Sequence, residues 1–489
     1  MKITEWMAQS GVGFGTSGAR GLVAAMTDRL CFAYTVGYLK HLAAIGEFGP
    51  GTSVVVSGDL RPSTPRILRA CVAAIEWMKG DPVFCGFVPT PALSLYAFSR
   101  NIPSLMVTGS HIPADRNGIK FNRACGEFLK TDETSMREQE VILPDDWFDE
   151  KGKFTQDVSL PPAVNIVPEY IARYQDFFGS EALSGFKLGI YQHSAVGRDI
   201  LVDVVEALGG QAVPLGRSDN FIPVDTEAVR SEDFLLSKRW AGEGLYDAIL
   251  TTDGDSDRPL LSDRHGNWIR GDVLGILAAR TLGAAAVTTP VSSNTALEKA
   301  RFARSVRRTR IGSPFVVAEM TQAATEGFLP SVGYEANGGF LLATDVVQNG
   351  KVLAALPTRD AVLPMVCALI AARDHDNDLA ALIKTLPPRF TISDRLAEMP
   401  TEESRTQIAI LTENTPEKAE ELGFTTFCGK VDHIDQTDGL RITFDCGDII
   451  HLRPSGNAPE LRVYVESNTP ERAAKLLAVG MNGVSAWRI

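Results

Sequence analysis

Short apolar runs alternate along this chain with apolar residues spaced three and four apart, the pattern of strands alternating with helices. Val54-Val55-Val56 predicts a buried strand that ends in Gly58-Asp59-Leu60-Arg61-Pro62-Ser63. Ile67, Leu68, Cys71, Val72, Ile75 and Met78 then form one helical face, with Thr64 as the expected N-cap, Pro65 in the first turn and Gly80 as the stop. Val83-Phe84-Cys85 and Leu105-Met106-Val107 read as further strands, the latter running into Thr108-Gly109-Ser110-His111. The pattern repeats with a strand at Leu188–Tyr191, a helix carrying Ile200, Leu201, Val204, Val205 and Leu208, and strands at Ala212–Pro214 and Ala248–Leu250. Near the C-terminus, strands at Leu440–Phe444 and Ile449–Leu452 precede a helix opening at Thr469-Pro470. Such alternation predicts an α/β protein whose loops at strand carboxyl ends bind ligands.

At 489 residues the chain should hold roughly three or four domains. The acidic, proline-flanked stretch from 130 to 160 reads as an outer surface element and then a linker. The segment from Thr385 to Glu403 introduces a C-terminal domain.

Composition narrows the functional classes. A net charge of −12 argues against nucleic acid as a partner, while leaving room for an anionic small molecule at a local cluster of arginines. No apolar run reaches the ~18–20 residues of a membrane span, and the N-terminus lacks a signal-peptide core. Seven scattered cysteines without a Cys-x-x-Cys pair point to reduced thiols in the cytoplasm and away from zinc.

Four loops and the N-terminal stretch carry candidate chemistry. Phe14-Gly15-Thr16-Ser17-Gly18-Ala19-Arg20-Gly21 sets one guanidinium among glycines and hydroxyls, a setting for an anion; a plain N-terminal loop is the competing reading. Ser110 and His111 stand at the end of a buried strand, with Lys120 ten residues on; a simple Ser/Gly turn competes there. Asp253, Asp255 and Asp257, in Thr252-Asp253-Gly254-Asp255-Ser256-Asp257-Arg258, crowd three carboxylates into one loop, which favours a bound cation of the Mg²⁺ type. An EF-hand fails because Arg258 and Arg264 stand where it needs glycine and glutamate. Gly333-Tyr334-Glu335-Ala336-Asn337-Gly338-Gly339-Phe340 is a polar, glycine-dense loop suited to a polyol, with a plain loop as the competing reading. Arg453-Pro454-Ser455-Gly456-Asn457 offers a guanidinium, a hydroxyl and bare amides, a phosphate cradle.

Together these loops, in this order over essentially the full length, resemble the α-D-phosphohexomutase superfamily. The resemblance implies a heart-shaped molecule of four domains, at residues 1–158, 159–262, 263–385 and 386–489: three related α/β units on mixed sheets and a smaller α+β unit. It implies that Ser110 carries phosphate in the resting enzyme and that Asp253, Asp255 and Asp257 hold Mg²⁺ together with that phosphoserine. Arg20, Lys120 and Arg258 would lie near the transferred group, with His111 behind Ser110. Gly312, Ser313, Glu335 and Asn337 would contact the sugar, and Arg453, Ser455, Gly456, Asn457 and Arg462 the non-reacting phosphate.

The implied reaction interconverts hexose 6- and 1-phosphates through a hexose 1,6-bisphosphate, with mannose phosphates as the first expectation and glucose or glucosamine phosphates as alternatives. Two other classes remain: a silent sugar-phosphate-binding relative, and a phosphatase using the same serine. A monomer or homodimer in the cytoplasm is expected. The chain also departs from the family pattern. Gly339 replaces a histidine of the sugar loop, Asn337 a serine, Ala458 a glutamate, Gly109 an alanine and Ile112 an asparagine. The first of these throws proton transfer onto Lys120 or Glu335.

Overall fold

The structure, a computed structural model, describes residues 1–15, 17–455 and 459–487. It is α/β, with mixed sheets in several domains and a predominantly antiparallel C-terminal unit. Three of its sheets repeat one topology. In the first, Ser53–Gly58 runs parallel to Asp81–Phe84 on one side and Ser104–Val107 on the other, and Arg116–Arg123 returns antiparallel. In the second, Lys187–His193 lies between Gln211–Arg217 and Ala248–Thr252, and Pro259–Ser262 returns. In the third, Ala286–Pro290 lies between Ser305–Thr309 and Ser331–Tyr334, and Phe340–Leu342 returns. The Ser110 loop, the triple-aspartate loop and the Glu335 loop therefore occupy one equivalent position, the turn after the last parallel strand. Those three strands are buried along their whole length, and the first two carry apolar runs, Leu105–Val107 and Ala248–Leu250, whereas Ser331–Tyr334 does not and escaped the sequence reading.

The fourth sheet is antiparallel, in the order Phe390–Ala397, Glu460–Ser467, Ile449–Pro454, Leu440–Phe444, Val431–Asp435. Its closing helix, Pro470–Ser485, is capped as expected by Thr469, whose hydroxyl accepts the Arg472 N–H at 3.1 Å.

Three expectations change. Residues 130–154 are more than an outer strip, while the stretch from 155 to 165 is largely exposed coil. Helix Lys130–Arg137 buries Asp132 and Glu133, and Asp132 Oδ1 lies 3.0 Å from His41 Nε2. Trp147, Phe148 and Phe154 pack edge-on around Phe32, so aromatics interleaved with the acids pull the segment inward. The second sheet runs past the boundary expected at residue 262 and takes in Trp268–Ile269. The segment near 385–403 contributes an edge strand, Phe390–Ala397, to the fourth sheet. Thr64 is the first helical residue rather than the cap; its hydroxyl donates to Asp59 Oδ1 at 2.7 Å. All seven cysteines are free. Among the described residues no helix is long and apolar enough to cross a membrane.

Candidate active site

Ser110 is held in a left-handed backbone conformation, φ 56°, which an L-residue keeps only when its surroundings fix it. Arg61, missed in the sequence reading, does so. Buried and fully satisfied, it donates from Nη2 to the carbonyls of Ser110 (2.8 Å) and Ile112 (2.6 Å). Its Nη1 reaches those of Pro113 (2.7 Å) and Arg116 (3.0 Å), and its Nε the Asp59 carboxylate (3.1 Å). Asp59 in turn accepts from Thr108 Oγ1 at 2.7 Å, and that hydroxyl accepts the Ser110 N–H at 2.7 Å. A Cβ on Gly109 would stand 2.6 Å from the Arg61 Cζ, so the bare glycine lets the guanidinium close against the loop. Phe221 covers Arg61, its ring centroid 4.0 Å from Cζ.

The Thr252↔Pro259 pairing makes residues 253–258 a tight turn. Asp253 closes it by accepting the Asp257 and Arg258 N–H groups, both at 3.2 Å. All three aspartates are buried, and one carboxylate oxygen from each lies within 4.8 Å of the others. Asp255 Oδ1 and Asp257 Oδ1 are buried without hydrogen-bond partners. Three converging carboxylates that leave two buried oxygens unsatisfied fit a small divalent cation. Ser110 Oγ donates to Asp253 Oδ2 at 2.5 Å, which ties the serine to that same set.

The cations are supplied across the sheets. Lys120 Nζ donates to Asp255 Oδ2 (2.5 Å) and Asp257 Oδ2 (2.6 Å), and Thr90 Oγ1 to Asp255 Oδ2 (2.6 Å). Arg359 Nε donates to Asp257 Oδ2 at 3.0 Å. Burial and its two acidic neighbours push the Asp253 carboxyl well up. Burial opposes ionisation of Asp257 too, but Arg359, Lys120 and Arg258 outweigh it and hold that carboxyl low. Arg20, beside Gly118 on the neighbouring strand, is lowered to about 10 by burial and by Arg258 and Arg359. The Nε groups of Arg20 and Arg258 are buried without hydrogen-bond partners, Arg258 Nε lying 3.7 Å from Asp257 Oδ1. Guanidinium donors left without hydrogen bonds form a ready anion site.

His111 lies against this cluster. Arg258 Nη1 donates to its Nδ1 at 2.8 Å, Ser110 Oγ lies 3.3 Å from the same atom, and Nε2 is 3.8 Å from Asp225 Oδ2. Burial and the Arg258 charge lower its pKa to about 3. It is a neutral acceptor that steadies Arg258.

The sugar loop is built differently. Glu335 is buried and accepts from Arg359 Nη1 at 3.1 Å. Asn337 was expected to offer its side chain to a hydroxyl. Its Oδ1 instead accepts the Gly339 N–H (3.0 Å) to close the turn, and its carbonyl accepts from Thr226 Oγ1 (2.6 Å). Ser313 was likewise expected at the sugar, but its hydroxyl donates to Glu127 Oε2 (2.7 Å), whose other oxygen accepts from Thr358 (2.8 Å). Gly312 precedes that serine at the start of helix Ser313–Thr325.

On the fourth sheet, Arg453 Nε donates to Asp438 Oδ2 (2.8 Å), and Arg462 Nε to Glu460 Oε1 (3.1 Å). Arg453 and Ser455 border a cleft of about 570 Å³ with Thr401, Arg405 and Asp438, within the size range of small-molecule sites. Gly456 and Asn457 lie outside the described residues. The structure thus gathers Arg20, Ser110, His111, Lys120, the three aspartates and Arg258 into one cluster, and joins Glu335 to it through Arg359. Arg61, Thr90, Asp225 and Arg359 were not foreseen. The one available signal for Arg359 was a charged pair, Arg359-Asp360, closing a strand before the apolar helix Val362–Ala372.

Three family profiles match this chain: "Phosphoglucomutase/phosphomannomutase, alpha/beta/alpha domain I" over residues 11–141, domain III over 270–390, and the C-terminal domain over 400–480. A phosphomannomutase of Salmonella muenchen is 41% identical over 98% of this chain and 96% of its own length. One of Sinorhizobium fredii is 42% identical over 96% and 98%. The fold matches a crystal structure described as a putative phosphomannomutase from Thermus thermophilus, with a TM-score of 0.74 at 20% identity, covering 97% of this chain and 99% of that one. With a serine tied to a triple-aspartate turn inside a ring of cations, and with relatives this similar over nearly their whole length, the chain belongs to the α-D-phosphohexomutase superfamily and is an enzyme of its intramolecular phosphotransferase class.

Proposed function

We propose that this enzyme interconverts mannose 6-phosphate and mannose 1-phosphate in the cytoplasm, using Mg²⁺ and a phosphoserine at Ser110, with a hexose 1,6-bisphosphate as intermediate. The observation that carries the reading is Ser110 Oγ on Asp253, in a cluster where two aspartate oxygens and the Nε groups of Arg20 and Arg258 are left without hydrogen bonds. Asp253, Asp255 and Asp257 would hold the cation, which supplies charge compensation for the phosphoryl group.

In the first half-reaction the bond between phosphorus and Ser110 Oγ breaks while a hydroxyl oxygen of the bound hexose phosphate bonds to phosphorus. The hydroxyl proton passes to a base, a role we give to Lys120 in its neutral form, which it would reach once a bound cation had replaced it as counter-charge to Asp255 and Asp257, since Gly339 carries no side chain. Arg20 and Arg258 take up charge on the phosphoryl oxygens, the main demand of such a transfer. Glu335 accepts from sugar hydroxyls. The loop bearing Arg453, Ser455 and Asn457, with Arg462 beside it, holds the other phosphate, so that the bisphosphate can turn and return its second phosphoryl group to Ser110. The preference for mannose rests on the two relatives.

Intact-mass measurement of the purified protein should show about 80 Da of added phosphoryl mass, absent from Ser110→Ala. Coupled assays with mannose, glucose and glucosamine 1-phosphates should then rank mannose first. Mannose 1-phosphate turnover far below the other two would overturn the choice of sugar.

A further inference from the structure

Arg359 is 3% exposed, a costly place for a guanidinium unless carboxylates meet it with good geometry. Two do, from different sheets. Nε donates to Asp257 in the cation loop at 3.0 Å and Nη1 to Glu335 in the sugar loop at 3.1 Å. Burial opposes the charge, but Asp257 and Glu335 outweigh it and hold the arginine above its ordinary pKa.

Its backbone is fixed. Strand Leu356–Asp360 pairs with Phe340–Leu342, and the next residue, Asp360, accepts from Tyr174 Oη at 2.8 Å and from the Val362 N–H at 3.0 Å. Its methylenes lie directly over Gly339. A Cβ built there would stand 2.5 Å from Arg359 Cδ and 2.7 Å from Cγ, inner atoms that cannot swing aside without moving the guanidinium. Position 339 is thus empty because Arg359 fills it.

We propose that Arg359 is a positioning residue that fixes Glu335 for the sugar by tying it to the cation loop, and that Gly339 is required because Arg359 occupies its side-chain space. A rigid fork sets the direction of the Glu335 carboxylate before substrate arrives, which removes an ordering cost from binding. A lysine keeps the charge but not the fork. The inference rests on the mutase reading above.

The test is a pair of double-mutant cycles on the whole enzyme, read as kcat/KM for the hexose phosphate it turns over best, alongside melting temperature. Arg359→Met should lose about 100-fold, and Arg359→Lys should recover no more than about a tenth of that activity. Arg359→Met combined with Glu335→Gln should lose little more than the worse single variant. Gly339→Ala should cost about 10-fold alone but less than about twofold in the Glu335→Gln background, a comparison that holds even if Arg359→Met does not fold. Additive losses in the Gly339/Glu335 cycle, or full activity in Arg359→Lys, would overturn the proposal. So would a loss confined to melting temperature with kcat/KM of the folded protein unchanged. Wild-type protein that turns over no hexose phosphate would instead remove the mutase reading itself.

Discussion

The cation loop at 253–258 and the sugar loop at 335–339 occupy the same turn in two sheets of the same topology, and they solve opposite problems. The first concentrates three buried carboxylates. Within the loop only Arg258 offsets them, so further counter-charges arrive from other elements: Lys120 from the first sheet and Arg359 from the third. The second loop carries one carboxylate and closes on itself through Asn337 and Gly339. The shared turn supplies only a place at the strand ends, and the residues set on it decide whether the place handles charge or shape. Dependence on outside cations couples the cation loop to its neighbours, whereas the sugar loop takes one outside cation, Arg359, and one neutral donor, Thr226.

Three substitutions probe that division, in order of expected effect. Ser110→Ala removes the group that carries the phosphoryl and should lower mutase turnover at least about 1,000-fold while leaving the far-ultraviolet circular dichroism unchanged. Near-wild-type turnover would end the assignment. Asp255→Ala should weaken Mg²⁺ binding, measured calorimetrically, together with turnover, the latter on the order of 100-fold, because the carboxylate serves both. Glu335→Gln should reduce kcat/KM by about 10- to 100-fold, the worth of a charged hydrogen bond or two, and leave Mg²⁺ affinity unchanged. If Glu335→Gln weakened Mg²⁺ binding as much as Asp255→Ala, the two loops would not be functionally separate.

The features legible in the sequence are those whose physics is local. An apolar run followed by Asp-x-Asp-x-Asp gives both the strand and the crowded carboxylates, and the Thr-Gly-Ser-His turn gives the serine at the strand's end, which the fold then buries. Thr469-Pro470 gives the last helix. What escaped is non-local. Arg61 is an ordinary residue in a strand-end loop until the fold brings five acceptors to its five donors. Arg359 lies 102 positions from Asp257 along the chain and is paired with it only by the meeting of two sheets. Ser313, which opens a helix, and Asn337 also have partners that local spacing cannot show, Glu127 and the Gly339 amide. The 130–154 stretch misled because its acids outnumber its aromatics, and the aromatics decide where it packs.

The smallest expected effect is acid sensitivity confined to one side of the comparison. His193 is buried beside the cation loop, and its Nε2–H donates to the Thr252 carbonyl at 2.8 Å. Burial lowers its pKa from an ordinary 6.5 to about 4. The folded state therefore binds fewer protons than the unfolded state between these values, so stability from His193 is fully present above pH 6.5 and drains away as pH falls toward 4. Between pH 7.5 and 5.5 the loss should be about 1 kcal/mol. The third sheet holds no buried histidine among its described strands. Hydrogen exchange at pH 5.5 should then loosen strand Ala248–Thr252 before strand Ser331–Tyr334. His193→Gln, which cannot take up the proton, should abolish that difference. Equal loosening of both strands, or an unchanged difference in His193→Gln, would mean that the acid response is not set beside the cation loop.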